Sequence, residues 1–322
     1  MLKYDVLCVG SATIDSFLTT EQSLSAVRIG DKVLVKSIEK HSGGGATNSS
    51  AALSKLGLKV KMLTKLGDDH DADFILKEMK DYDVKNICQR RSKHNTDFAT
   101  IISSEKEKDR IIYVHKGASE DLSEKDFKKS QLRFRWIYLA SLLGKSFQTA
   151  KQIAEYSKRK KIKILFNPSL YLAKKGKDEL KKVLDAAEIL VLNKEEAQAL
   201  LGSSSSSFPT LLKDLQKCGP KTVVITNGRK GFHALHDNTV YSLTKTPIVK
   251  RVHTAGAGDA FTSGFLAGVI KNYPFEEALK LGQVNSSSII QHIGTKNKLL
   301  TEREAKQMMK KHRMKITKKK ME

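Results

Sequence analysis

Near the carboxyl end of this 322-residue chain stands His253-Thr254-Ala255-Gly256-Ala257-Gly258-Asp259-Ala260-Phe261, followed by an apolar run of helical length, Thr262 to Ile270. Gly256, Ala257 and Gly258 place small residues where a buried helix should begin. There, backbone amides can approach a ligand closely and the helix N-terminus adds partial positive charge. Together they make an anion hole for a phosphate or for charge developing in a transfer reaction. Asp259 fits two roles equally well. It is an acid in a first helical turn, which the helix dipole favours for structural reasons alone. It is also an acid beside an anion hole, where a hydroxyl attacking a γ-phosphate would lose its proton. Two familiar phosphate loops are excluded: no G-x-x-x-x-G-K-[ST] occurs, and Phe261 stands where the Gly256-x-Gly258 pair would need a third glycine.

A second glycine cluster, Ser42-Gly43-Gly44-Gly45-Ala46-Thr47-Asn48, leads into a short predicted helix, Ser49 to Leu56, that Gly57 would cap. Gly43 and Gly44 let backbone come close to a ligand. Asn48 offers donors and an acceptor to a polyhydroxylated molecule, and Asp15, just after the first strand, can accept two hydroxyl hydrogen bonds. The structural alternatives are that Asn48 caps its helix and Asp15 sits in a turn.

The elements that must hold these residues alternate. Strand-like runs at Met1 to Gly10, Lys59 to Leu66, Trp136 to Ala140, Ile162 to Asn167, Ile189 to Asn193 and Thr222 to Thr226 are separated by helix-like runs, which predicts parallel strands with helical crossovers. Ile189 to Leu192 and Thr222 to Thr226 are apolar almost throughout, as befits strands covered on both faces. The fold class is therefore a doubly wound, mostly parallel α/β sheet. Residues 16–41 and 95–115 break the rhythm with half-polar alternation, such as Lys32 to Lys36 and Phe98 to Ile102. Two insertions of this kind predict a small β-sheet lid that closes a site against water and could pair with a second copy of the chain as a homodimer. Ser203 to Ser207 is a low-complexity loop, and residues 301–322 form a predicted helix with a basic tail.

Composition bounds the function classes. No apolar stretch is long enough to cross a bilayer, and the amino terminus lacks the succession of a signal peptide, so a cytoplasmic location is expected. Cys8, Cys88 and Cys218 are scattered and show no zinc or disulfide spacing. The formal charge of +23 favours polyanions or phosphorylated small molecules. Removing the eight basic residues between Lys306 and Lys320 still leaves +15, so the excess is distributed. Aromatics make up only 7% and are not interleaved with the basic residues, which counts against a stacking nucleic-acid groove.

The combination resembles the ribokinase-like (PfkB) family of carbohydrate and nucleoside kinases over residues 3 to 300, the expected kinase domain being 1–300. Both family signatures are present in order: the glycine-glycine-x-x-x-asparagine pattern at Gly43 to Asn48, and the threonine-x-glycine-alanine-glycine-aspartate pattern at Thr254 to Asp259. The resemblance implies that Asp259 is the catalytic base, that Gly256, Ala257 and Gly258 form the anion hole, and that Asp15, Gly43, Gly44 and Asn48 bind the substrate. Asn167, before Pro168, resembles a position reaching the substrate or the transferring phosphate. Asn193 and Glu196 resemble the family element that organises Mg²⁺ and phosphate through water. Thr226, Gly228 and Gly231 resemble its nucleotide loop, and Asn285 falls where the adenine pocket is lined. The implied reaction transfers the γ-phosphate of ATP, with Mg²⁺, to a hydroxyl of a sugar or sugar-like substrate. Alternatives are a nucleoside kinase and a non-catalytic, basic nucleic-acid-binding protein on the same fold. One departure is His253, where the family has an aspartate that helps hold an activating monovalent cation. A mostly neutral imidazole is a poor ligand for a hard cation.

Overall fold

The computed structural model describes residues 4–107, 109–250 and 252–321; Met1 to Lys3, counted above in the first strand, lie outside them. β1 (Tyr4–Val9) runs into the centre of the main sheet and is followed at once by β2 (Thr13–Thr20) and β3 (Ser37–Gly43) of the lid. The chain returns through α1 (Gly45–Lys55), β4 (Val60–Leu63), α2 (His70–Asp81) and β5 (Lys85–Asn86), then leaves again for β6 (Asp97–Ser104) and β7 (Arg110–His115). Next come β8 (Phe134–Ala140), α3 (Gly144–Lys160), β9 (Lys163–Asn167), α4 (Leu170–Ala173), α5 (Gly176–Leu184), β10 (Ile189–Asn193), α6 (Lys194–Leu201), α7 (Phe208–Lys217) and β11 (Thr222–Thr226). The hairpin β12 (Phe232–His236) and β13 (Thr239–Leu243) precedes α8 (Ala257–Ile270), α9 (Phe275–Ile289), α10 (Glu302–His312) and β14 (Thr317–Lys320).

The main sheet has the order β14-β13-β12-β11-β10-β9-β8-β1-β4-β5. Neighbours from β11 to β5 are parallel, whereas β11 to β14 are antiparallel. Side chains alternate between two cores, as the pleat demands. Val6, Cys8, Tyr138, Val191 and Val224 face α1, α2, α8 and α9. Leu7, Val9, Ile137, Leu192 and Ile225 face α3, α5, α6 and α7. Each fully buried aliphatic side chain contributes roughly 1.5–3 kcal/mol, which is why these strands read as unbroken apolar runs.

The lid is a separate four-stranded sheet, β3-β2-β6-β7, built from two hairpins joined by the parallel pair β2–β6. Lys32 to Lys36, expected as strand, is irregular: β3 begins only at Ser37, because pairing with β2 starts at Thr19↔Ser37. The helix after the first glycine cluster begins at Gly45 rather than Ser49, which places Asn48 inside its first turn. The basic tail is not a loose end; Thr317–Lys320 pairs with β13 and closes the sheet edge. No helix among the described residues is long and apolar enough to cross a membrane.

Candidate active site

The carboxyl ends of β8, β9, β10 and β11, the first turn of α8 and the underside of the lid surround a cleft of about 440 Å³. A cleft outside the carboxyl ends of parallel strands is where open α/β sheets bind ligands. Asp259 is the third residue of α8, and Gly256, in the left-handed region at φ 76°, caps that helix. The first-turn amides of any helix lack intrahelical acceptors; in α8 the Ala257 amide donates to the Thr254 carbonyl at 3.3 Å, while Gly256, Gly258 and Asp259 line the cleft. A side chain at Gly258 would meet nothing within 4 Å, and open space is what a ligand there needs.

Asp259 is held from two sides. Its Oδ2 accepts from Asn48 Nδ2 at 2.8 Å and its Oδ1 from Tyr138 Oη at 3.4 Å. The Tyr138 hydroxyl also lies 3.0 Å from Asn167 Oδ1, while Asn167 Nδ2 donates to the Val191 carbonyl at 2.8 Å. Burial pushes the Asp259 carboxyl up; the Asn48 and Tyr138 hydrogen bonds and the Lys296 charge pull it back towards the ionised form. Across the cleft, Asp15 on β2 is pushed up to about 6, mainly by burial and against the pull of Lys296, Lys116 and His41. Its carboxylate lies against the Cα of Gly43, where any side chain would collide with it. Glu196, pushed up to about 7 by burial with Asp259 as a contributor, completes an acidic margin.

A neighbouring cavity of about 500 Å³ is lined by Gly228, Thr246, Ile248, Ala257, Gln283 and Ser287. The turn from Thr254 to Gly258 separates the two spaces, with Gly256 and Gly258 on one and Ala257 on the other. Thr226 lines the first and Gly228 the second. Gly231 lines neither: its Cα abuts the Leu243 carbonyl, so glycine there serves the turn.

At three of the expected positions the side chains have structural partners. Asn48, expected to bind substrate, is 5% exposed and spends its amide on Asp259, so the cluster's contribution to the cleft wall is Gly45. Asn193 and Glu196 form a reciprocal capping box at the start of α6 (2.7 and 2.9 Å), which explains that spacing structurally while both residues still border the cleft. Asn285, expected in the adenine pocket, is fully buried; it donates to the Ala260 carbonyl at 2.8 Å and accepts from the Leu300 amide at 3.4 Å, while its neighbours Gln283, Ser286 and Ser287 line the second cavity. Tyr138, Lys116 and Lys296 escaped sequence reasoning. Tyr138 was hidden in an apolar strand, and the two lysines among many. Lys116 lines the cleft and pairs at 3.2 Å with buried Asp97, which also accepts the Gly117 and Ser119 amides at the root of the lid. Among the described residues, no group of three or more His, Cys, Asp or Glu converges as a metal site.

The family model described as pfkB family carbohydrate kinase matches residues 3–302. The chain belongs to that family. It is a phosphotransferase with an alcohol group as acceptor, of the sugar and nucleoside kinase kind. This pfkB kinase is similar to the ribokinase of Bacillus subtilis (strain 168), 25% identical over 307 residues that span 95% of this chain and 99% of the relative. Its fold matches Arabidopsis thaliana ribokinase complexed with ribose and ATP, and Sinorhizobium meliloti adenosine kinase. Each is 20% identical with a TM-score of 0.81, covering 95% of this chain and 99% of the other.

Proposed function

We propose that this pfkB kinase transfers the γ-phosphate of ATP to a hydroxyl of a sugar or sugar-like substrate, with Asp259 as the general base. The observation that carries the reading is the Asp259 carboxylate, held by Asn48 at the mouth of the α8 amides and facing Asp15 across one cleft. Asp15, with Thr13 and Ser119 around it, offers acceptors and donors to a polyol. The second cavity, on the other side of the Gly256–Gly258 turn, suits the far end of a nucleotide whose phosphates lie on that turn.

The acidic margin fits Mg²⁺ bound chiefly by phosphates. The Asp259 charge raises the cost of ionising Glu196, and a hydrated cation reached through Glu196 would relieve it. When bound, the ion neutralises charge on the phosphates. Asp259 accepts the proton of the attacking hydroxyl as that oxygen meets the γ-phosphorus, and the α8 amides hold the phosphoryl oxygens. The lid, carrying Asp15, excludes water.

The similarity to an adenosine kinase keeps nucleosides as the second acceptor class. ATP consumption with a panel of sugars, sugar phosphates and nucleosides decides between them. Silence across the panel with salt-sensitive RNA binding would favour a non-catalytic role instead. Asp259→Asn should lower kcat by more than about a hundredfold while leaving ATP binding nearly unchanged; normal turnover in that variant would remove Asp259 from the role. We further propose that the lid is a pairing surface between two copies of the chain.

A further inference from the structure

Lys296, in the loop after α9, is 5% exposed. Burying an ammonium is costly unless its charge and its donors are matched, and its partners come from four parts of the chain. Nζ donates to the Ser42 carbonyl near the end of β3. It lies 3.5 Å from Asn48 Oδ1 on α1, 3.4 Å from Thr295 Oγ1 and 3.6 Å from Glu78 Oε1 on α2. Thr295 Oγ1 donates to the same Ser42 carbonyl at 3.0 Å. Thr295 is also packed against Gly256 so closely that a Cβ there would come within 2.9 Å of the Thr295 carbonyl oxygen. Two adjacent residues thus tie the first glycine cluster to the turn of the anion hole.

We propose that Lys296 is a positioning residue for phosphoryl transfer, clamping the two glycine loops together and fixing the Asn48 amide so that it donates to Asp259; this role rests on Asp259 being the base. An asparagine amide has two orientations that exchange donor and acceptor ends. With an ammonium at the oxygen end, the nitrogen must face Asp259. In the flipped orientation the ammonium would meet an NH₂ group and the carboxylate a carbonyl oxygen, both repulsive. Charge acts in the same direction. The titratable groups around Asp259 are Lys296, Tyr138 on β8, Cys8 on β1 and Glu196 on α6. Those around Lys296 are Glu78, Asp15 and Asp259 itself. Lys296 is the cation of this set, so removing it has one sign: Asp259 becomes harder to ionise.

Lys296→Met removes the charge and keeps most of the stem. The double variant Lys296→Met with Glu78→Gln also avoids leaving the half-buried Glu78 carboxylate without its cation, so a folded protein is available for the test. Each is assayed for kcat at saturating ATP and acceptor (D-ribose or adenosine, whichever turns over) from about pH 5 to about pH 9. The expected result is a kcat lower by about tenfold or more, with the acid limb moved upward by about one pH unit. An unchanged kcat would overturn the proposal. So would a lower kcat with the acid limb in place, since a merely structural clamp would leave the ionisation of Asp259 alone. If instead Asp259→Asn keeps its turnover, the base assignment fails whatever the Lys296 variants do.

Discussion

Asp15 has opposite consequences for binding and for stability. Burial raises its pKa from 3.8 to about 6, so the folded chain takes up a proton there that the unfolded chain has already lost. A carboxyl of that kind costs stability increasingly as pH rises through about 6, and costs nothing below the unfolded value. Asp15→Asn should therefore raise Tm at about pH 7.5 by the equivalent of about 1–2 kcal/mol after allowing for solvent screening. The gain should vanish near about pH 4. The same variant should raise the acceptor KM, since a carboxylate that takes two hydroxyls is gone. Thermal melts at the two pH values check the sign, and a stabilisation that grows in acid would contradict it. His253 is the other residue with a clear expectation. Its Nδ1 accepts the Ala255 amide at 3.2 Å, its ring stands edge-on to Phe17 at 4.9 Å, and burial with nearby Arg110 and His41 lowers its pKa. A neutral, enclosed imidazole is a poor partner for a hard cation, so rates in potassium and tetramethylammonium buffers should be nearly equal; a large potassium stimulation would refute this. Asp259 could be singled out from the sequence because its type suits the chemistry and Gly256 and Gly258 precede it, and Asp15 because a carboxyl just after the first strand matches the family pattern. The Asn48–Asp259 bond could not, since 211 positions separate the two residues, nor could the Lys296–Ser42 contact across 254. No local pattern encodes a partner that only the completed fold supplies.

At the scale of elements, α8 is placed by its packing on α9. A Cβ on Gly264 would lie 2.8 Å from the Leu281 carbonyl, and one on Gly268 would lie 2.6 Å from Ala278 Cα. Glycine at both sites lets the two helix backbones touch, and this contact sets where the first turn of α8 delivers Asp259. Gly268→Val should cost about 1–3 kcal/mol by overpacking. It should also lower kcat, because relief of the clash must shift α8 along with its catalytic turn. Denaturant midpoints and turnover on the same preparation test this, and a destabilised variant with unaltered kcat would separate the packing from the site. Elements were legible in the sequence where one physical effect dominated. β10 and β11 are buried on both faces from Ile189 to Leu192 and from Thr222 to Ile225, and their apolar runs show it. α1 starts ahead of its sequence signal because Gly45 is a poor helix former by itself and is helical here against Ala140, which a side chain would strike at 2.5 Å. Lys32 to Lys36 has the alternation of a strand, but its contact with the end of β2 is confined to the Lys36 amide on the Thr19 carbonyl at 2.7 Å and the Thr20 hydroxyl on the Leu34 carbonyl at 3.0 Å, too little for a ladder.

The whole molecule presents sheet edges that differ in how they are guarded. An open edge is a template for pairing with another chain, and native proteins blunt it with short strands or lysines. β5 at one end of the main sheet is only two residues long, and β14 at the other end carries Lys318, Lys319 and Lys320. Part of the basic excess therefore has a structural use, which weakens the case for an RNA partner. The lid edge at β7 has neither protection. Ile111, Ile112, Tyr113 and Val114 are 42%, 49%, 61% and 49% exposed, and the strand pairs with β6 alone among the described residues. An apolar edge of this kind suits association better than solvent, and a second copy of the same lid offers a matching strand in a closed, two-fold arrangement. Sedimentation equilibrium should accordingly show a dimer. Ile112→Lys with Tyr113→Glu should shift it to monomer and should raise the acceptor KM more than it lowers kcat, because the strand that loses its partner belongs to the sheet carrying Asp15 rather than to the helix carrying Asp259. A monomeric parent chain at concentrations well above those of the assay would refute pairing through the lid, and the exposed strand would then be a surface for a different partner.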